Sequence, residues 1–136
     1  MSVEPVKFLE IAEALRVSTE EIYLRTAINR AYYFTLHRAR EVTPEDCFGD
    51  DPGMGSHERV IRAVERLGAA HRPGRARARE LARALRRLRD ARRIADYDLQ
   101  EALSTAFVED VVLRAKHTAV FCDDIARQIA SSGAQE

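Results

Sequence analysis

Apolar residues recur along this chain at three- and four-residue intervals, and no segment alternates apolar with polar at period two. That pattern predicts helices and no sheet. The organising stretch is Ile22–Arg40, where Ile22, Leu24, Ile28, Tyr32, Leu36 and Ala39 trace an apolar stripe broad enough for a helix packed on more than one neighbour. Ser18 and Glu21 have capping-box spacing, with Val17 and Ile22 as a hydrophobic staple, so this helix is expected to begin near Thr19. A shorter helix precedes it over Val6–Leu15, packed through Phe8, Leu9, Ala12 and Leu15.

From Val42 to Ser56 the chain carries two prolines and three glycines, a composition that predicts a long, mobile loop. Ser56 is the expected amino-terminal cap of a helix carrying Val60, Ile61, Val64 and Leu67, which places His57 in its first turn. Gly68 and the stretch His71–Gly74 close that helix and open an arginine-rich one with Leu81, Leu85 and Leu88 on its apolar side. Residues 99–130 read as one final helix, and the tail 131–136 as frayed. The expected fold is therefore all-α: one domain over residues 1–136, an antiparallel up-and-down bundle of four principal helices plus the short leading one.

The 136 residues and their apolar fraction of 46% suffice for one core. With no long apolar run and no leading signal segment, the expectation is a cytoplasmic protein with no membrane partner. Cys47 and Cys122 are too few for a disulfide framework or a cysteine metal site and read as free thiols. The four histidines lack metal-motif spacing, so no metal and no cofactor is assigned. Net charge is zero, which argues against a dedicated duplex-DNA binder, yet residues 71–93 hold ten arginines against Glu80 and Asp90 alone. That local charge suits phosphates or an acidic partner surface; salt bridges on a solvated face are the plainer reading.

Two polar groups stand out. Arg30, Tyr33 and His37 share one face of the Ile22–Arg40 helix, and Arg89, Arg92 and Asp96, with Arg93 and Tyr97 alongside, share an edge of the later one. Antiparallel packing of the two helices would join them. In the joint site the arginines contact phosphates, Asp96 fixes a guanidinium bidentately, and a tyrosine stacks on a base or donates a hydrogen bond. His37 is its proton-transfer candidate and His57 the reserve from the loop side. For Asp96 and Tyr97 the favoured reading is a buried arginine, tyrosine and carboxylate network that preserves the bundle without touching RNA.

The segment RTAINRAYYFTLHRARE, followed by GSHERV and LRRLRDARRIADYD, resembles the HEPN superfamily, in particular the group with an R-x-Y-Y pattern in the second helix and R-x-x-A-D-Y near the start of the last. The resemblance spans about residues 8–130. It implies a helical bundle that dimerises through its long helices, often encoded with a minimal nucleotidyltransferase in toxin–antitoxin or defence modules. In many members it implies a metal-independent ribonuclease whose R-x4-6-H motif forms a composite site across the dimer. Here the corresponding residues are Arg92, or Arg89, with Asp96 and Tyr97, so Asp96 occupies the histidine position. An aspartate beside arginines stays ionised and organises Arg92 better than it donates a proton.

Two functions follow as expectations. One is a HEPN-like RNA-binding protein or metal-independent ribonuclease, a toxin component acting as a homodimer through the last helix with or without the arginine-rich one, with His37, Arg92 and Asp96 catalytic and Arg30, Tyr33, His57, Arg89, Arg93 and Tyr97 binding substrate. The other is a non-catalytic helical module that binds a nucleotidyltransferase or antitoxin partner, or a nucleotide.

Overall fold

In the computed structural model, which describes residues 2–134, the chain forms five α-helices: α1 (Val6–Leu15), α2 (Glu21–Val42), α3 (Ser56–Ala70), α4 (Arg75–Tyr97) and α5 (Thr105–Ala134). Short 3-10 turns lie at Glu45–Cys47 and Arg72–Gly74, and there is no strand among the described residues. This is the expected antiparallel bundle. Helix α2 is its hub, touching α1, α3, α4 and α5, and its stripe is buried through Leu24, Ala27, Ile28, Ala31, Tyr32, Leu36 and Ala39. Ile22, expected in that stripe, is instead 64% exposed. Facing α2 are Leu81, Leu85 and Leu88 of α4 and Val108, Val112 and Ile125 of α5, all essentially inaccessible to water.

The helix ends depart from expectation in instructive ways. Helix α2 begins at Glu21 rather than Thr19. Ser18 Oγ accepts the Glu20 N–H in a local turn at 3.1 Å instead of capping the helix, and Glu21 Oε1 reaches across the bundle to the Leu103 N–H at 2.9 Å. The capping box is therefore not made. The cap of α3 is Gly55 rather than Ser56, with no side-chain cap bond. Gly68 faces Ala78 where α3 meets α4, and an added Cβ there would lie in ordinary contact, 3.5 Å from the Ala78 Cβ.

The connection at residues 42–56 is partly pinned: Thr43 and Cys47 are buried, and the Arg66 guanidinium holds the Asp51 carboxylate at 2.7 Å. At the carboxyl end α5 continues through Ala134; residues 135 and 136 of the tail expected to fray lie outside the described residues.

The largest departure is the start of the last helix. Expected at residue 99, it begins at Thr105, and residues 98–104 form a turn without proline or glycine. The cause is Arg25, 6% exposed, which lies inside the apolar arc of α2. Its Nη1 donates to the carbonyls of Ala95 at 2.8 Å, Asp98 at 3.1 Å and Ile94 at 3.3 Å, and its Nη2 donates to the Glu101 carbonyl. Ile94 and Ala95 belong to the last turn of α4 and Asp98 and Glu101 to the turn that follows it, so the guanidinium gathers carbonyls from both sides of the helix end and meets the negative end of the α4 dipole. Glu21 pairs with the same guanidinium at 3.2 Å. Beyond the turn, Ser104 Oγ accepts the Phe107 N–H at 3.1 Å and caps α5.

Arg25→Met is expected to strand these carbonyls in a dry site and lower the unfolding free energy by about 3 kcal/mol in urea titration. Arg38→Met, which removes pairs with exposed Glu41 and Asp123, is expected to cost less than about 1 kcal/mol. Equal losses in the two variants would refute the structural role given to Arg25.

Candidate functional site

Two layers of packing bring α4 to the first turn of α3. Glu58 of α3 receives Arg89 in a short charge-assisted bond and Arg86 at 3.4 Å, while Glu65 one helical turn pair further on also receives Arg86. On the opposite side Arg92 donates to Asp96 at 3.1 Å, four residues along its own helix, and Asn29 of α2 donates to the same carboxylate at 3.2 Å. The Arg92 guanidinium also lies over two rings, 5.5 Å from the Tyr32 centroid and 5.8 Å from that of Tyr97. Arg89 and Arg92 are thus held in fixed orientations, and the buried Nε atom of each has no acceptor among the described residues.

His57 stands where these pieces meet. Its Nδ1 is 3.0 Å from the Tyr32 hydroxyl, and its ring meets Tyr33 edge to face with centroids 5.5 Å apart. Burial pushes the Tyr32 phenol up to about 12, against the lowering influence of Arg92, Arg89 and Arg93, so Tyr32 stays protonated and fixes the imidazole in place. Burial also pushes the His57 pKa below its ordinary value, and the charges of Arg92, Arg89, Arg93 and His37 add to that effect. The position in the first turn of α3 acts in the same direction, because the helix dipole repels an imidazolium. A neutral imidazole with one nitrogen tied to Tyr32 leaves Nε2 as its second exchange point.

An open cleft of about 390 Å³ lies over this arrangement, lined by Gly55, Ser56, His57, Glu58, Arg89, Arg92 and Arg93. Glu58 and Asp96 neutralise the two half-buried guanidiniums. Arg93 is exposed, and among the described residues it makes no ion pair. The first amides of α3 add donors to the same opening.

The sequence-based constellation is therefore assembled in part. Arg89, Arg92, Arg93, Asp96, Tyr97 and His57 come together, with Tyr33 on the flank and Tyr97 75% exposed at the edge. Arg92, rather than Arg89, is the partner of Asp96. His37 and Arg30 lean toward Phe8 of α1, the His37 ring 5.3 Å from the Phe8 ring and the Arg30 guanidinium 5.6 Å from it, while the His37 ring stays 6.3 Å from that of Tyr33, on the flank of the cleft. His37 is exposed and lines a separate groove with Val3, Pro5, Arg40 and Glu41. Of the two histidines, His57 is the one that lines the cleft beside Arg89, Arg92 and Arg93.

Sequence reasoning also passed over Tyr32, Asn29 and Glu58. Asn29 and Tyr33 are spaced one helical turn apart on the face toward Asp96 and His57, and Glu58 follows His57 directly. Those spacings were the available signal. No family model, curated protein or solved structure matches this chain.

The depressed His57 pKa makes the fold sensitive to acid. Because the folded state holds this proton less tightly than the unfolded state, stability from His57 is complete above its unfolded pKa of about 6.5. It is lost as pH falls from there to the folded pKa. His57→Gln is expected to flatten the pH dependence of the urea midpoint over that window, and an imidazole titrating at or above the ordinary value by NMR would contradict this.

Proposed function

We propose that the chain is an RNA-binding protein of HEPN-like type whose cleft seats a phosphodiester between Arg93, Arg92 and the start of α3, with His57 as its proton-exchanging group. The observation that carries this reading is the placement of one neutral, tyrosine-anchored imidazole among three guanidiniums at an open cleft. Arg79, Arg86 and Arg93 recur every seven residues along α4, so their side chains share one face that leads to the cleft, with Arg86 already paired to Glu58 and Glu65 and Arg79 and Arg93 left for phosphates. A single strand following that face would bring its backbone to His57. Tyr97, exposed and stacked against Arg92, is suited to a base at the cleft edge.

In the proposed cleavage reaction, His57 donates its Nδ1–H to the Tyr32 hydroxyl oxygen, so that the free lone pair on Nε2 accepts the proton of a ribose 2′-hydroxyl. The 2′-oxygen attacks the adjacent phosphorus, the bond to the 5′-oxygen breaks, and solvent supplies that oxygen with its proton. The products are a 2′,3′-cyclic phosphate and a 5′-hydroxyl end. Arg92 and Arg93 stabilise the charge of the phosphorane, and Asp96 positions Arg92. A second reading, binding of RNA, a nucleotide or a nucleotidyltransferase partner without cleavage, draws support from the carboxylates already paired with Arg89 and Arg92, since those pairs weaken the field on a phosphate.

We also propose a homodimer through α5. Val108, Val111, Val112 and Ile125 are spent on the intrachain core, but Leu113 at 51% and Val120 at 52% exposure remain on its outer side, seven residues apart. No helix of the described residues is long and apolar enough to cross a membrane. Light scattering is expected to give a dimer at tens of micromolar that Leu113→Glu converts to monomer; a monomeric wild-type protein would remove this proposal.

The functional test pairs binding and cleavage of a single-stranded RNA oligonucleotide. Arg93→Ala should weaken binding about fivefold to tenfold and reduce the salt slope by about one ion. His57→Ala should keep binding and abolish cleavage, and His37→Ala should leave both unchanged. Wild-type binding without cleavage selects the second reading, and binding indifferent to Arg92→Ala and Arg93→Ala alike removes the cleft from the account.

A further inference from the structure

At the far end of α3 from this cleft, the fold brings together three side chains of mixed chemistry. The 3-10 turn Glu45–Cys47 supplies Asp46 and Cys47, and the residue that ends α3 supplies His71. One ligating atom of each, a carboxylate oxygen, the Cys47 sulfur and an imidazole nitrogen, lies within 4.8 Å of the other two. The turn is not loosely placed. Arg66 of α3 donates to the Cys47 carbonyl at 3.3 Å while its charge is met by Asp51 at 2.7 Å, and the His71 N–H is held by the Leu67 carbonyl at 2.9 Å.

We propose that Asp46, Cys47 and His71 form a binding site for a divalent cation of the zinc class. One sulfur, one nitrogen and one oxygen ligand suit Zn²⁺ and its late first-row neighbours, whereas Ca²⁺ and Mg²⁺ favour all-oxygen shells. Ligand bonds of about 2.0–2.3 Å require the three atoms to close somewhat, through rotation of the exposed Asp46 and the half-exposed His71 side chains toward the buried sulfur. The Cys47 thiol, which now donates to Asp46 Oδ1 at 3.8 Å, releases its proton to solvent on binding, and water completes a four-coordinate shell. Thiolate and carboxylate then balance the charge of the ion. Cys47 is 4% exposed, so the ion enters from the side of Asp46 and His71. Its binding fastens the 42–56 connection to the end of α3.

Titration of the full-length protein with Co²⁺ is the test, since a thiolate ligand gives an ultraviolet charge-transfer band and a four-coordinate ion gives strong visible bands. The expected result is saturation near ~1 equivalent at micromolar Co²⁺, displacement by Zn²⁺, and a rise in Tm when Zn²⁺ is added. Cys47→Ser and His71→Ala should each remove the charge-transfer band or the saturation, and Cys122→Ser, in the core away from the turn, should change neither. Because Cys47 is buried, the half-exposed His71 carries the comparison if Cys47→Ser fails to fold. Absence of a saturable band in wild type, or the same band in His71→Ala, overturns the proposal, whatever the outcome of the RNA assays.

Discussion

The guanidinium of Arg25 is the constraint on which the geometry of this bundle depends. A 23-residue helix such as α4 would by pattern continue into the apolar residues that follow it, and nothing in its local sequence forces a stop. Four carbonyls from Ile94, Ala95, Asp98 and Glu101 converge instead on one buried cation from α2. The chain turns around that cation and returns as α5. The end of α3 uses the same device: Arg75 donates to the Gly68 carbonyl at 2.9 Å and to that of Ala69 at 3.3 Å. Arginine side chains, rather than a left-handed glycine, satisfy both helix ends.

Fixing the last turn of α4 also fixes what α4 presents. Arg89 and Arg92 lie within two turns of the carbonyls that Arg25 holds, and Asn29, one helical turn after Arg25 on α2, donates to the Asp96 that orients Arg92. Helix α2 therefore sets the register of α4 at two successive positions. Tyr32, the next residue of α2 toward the cleft, joins His57 of α3 to the same assembly through its hydroxyl. The cleft is the place where three helices are locked to one another by polar contacts above an apolar core. Its carboxylates divide the labour: burial alone would push Glu58 up, but the bond from Arg89 and the charges of Arg86, Arg89 and Arg62 hold it below the usual range, so it stays ionised and anchors α4 to α3.

Much of the fold was legible because packing periodicity is a local signal. Leu24, Ile28, Tyr32 and Leu36 announce α2, and Leu81, Leu85 and Leu88 announce α4, with no knowledge of what covers them. The turn at 98–104 was illegible for the opposite reason, since its cause lies some 70 residues away in sequence. A hint existed: on a helical wheel Arg25 falls between Tyr32 and Leu36, inside the apolar arc, where an arginine must find several acceptors. The Ser18 and Glu21 pair misled because a side chain with capping spacing was recruited by Leu103 and Arg25. The arginines and Asp96 of the candidate site were readable from spacing within one helix. The choice between His37 and His57 was not, because it turns on how α1 and α3 sit against α2: Phe8 covers the surroundings of His37, and only the packing of α3 brings His57 to Tyr32.

Direct observation of the cleft with a ligand present addresses the central claim, that these locked guanidiniums and the tyrosine-anchored imidazole make one phosphate-binding surface. The measurement is an NMR titration of the isotopically labelled protein with a short single-stranded RNA, following the arginine Nε–H and the histidine ring signals. The account predicts that Arg89, Arg92, Arg93 and His57 shift together and saturably, while His37, at the groove under Phe8, stays still. Shifts confined to exposed arginines such as Arg79 and Arg83, with the His57 ring unmoved, would contradict it.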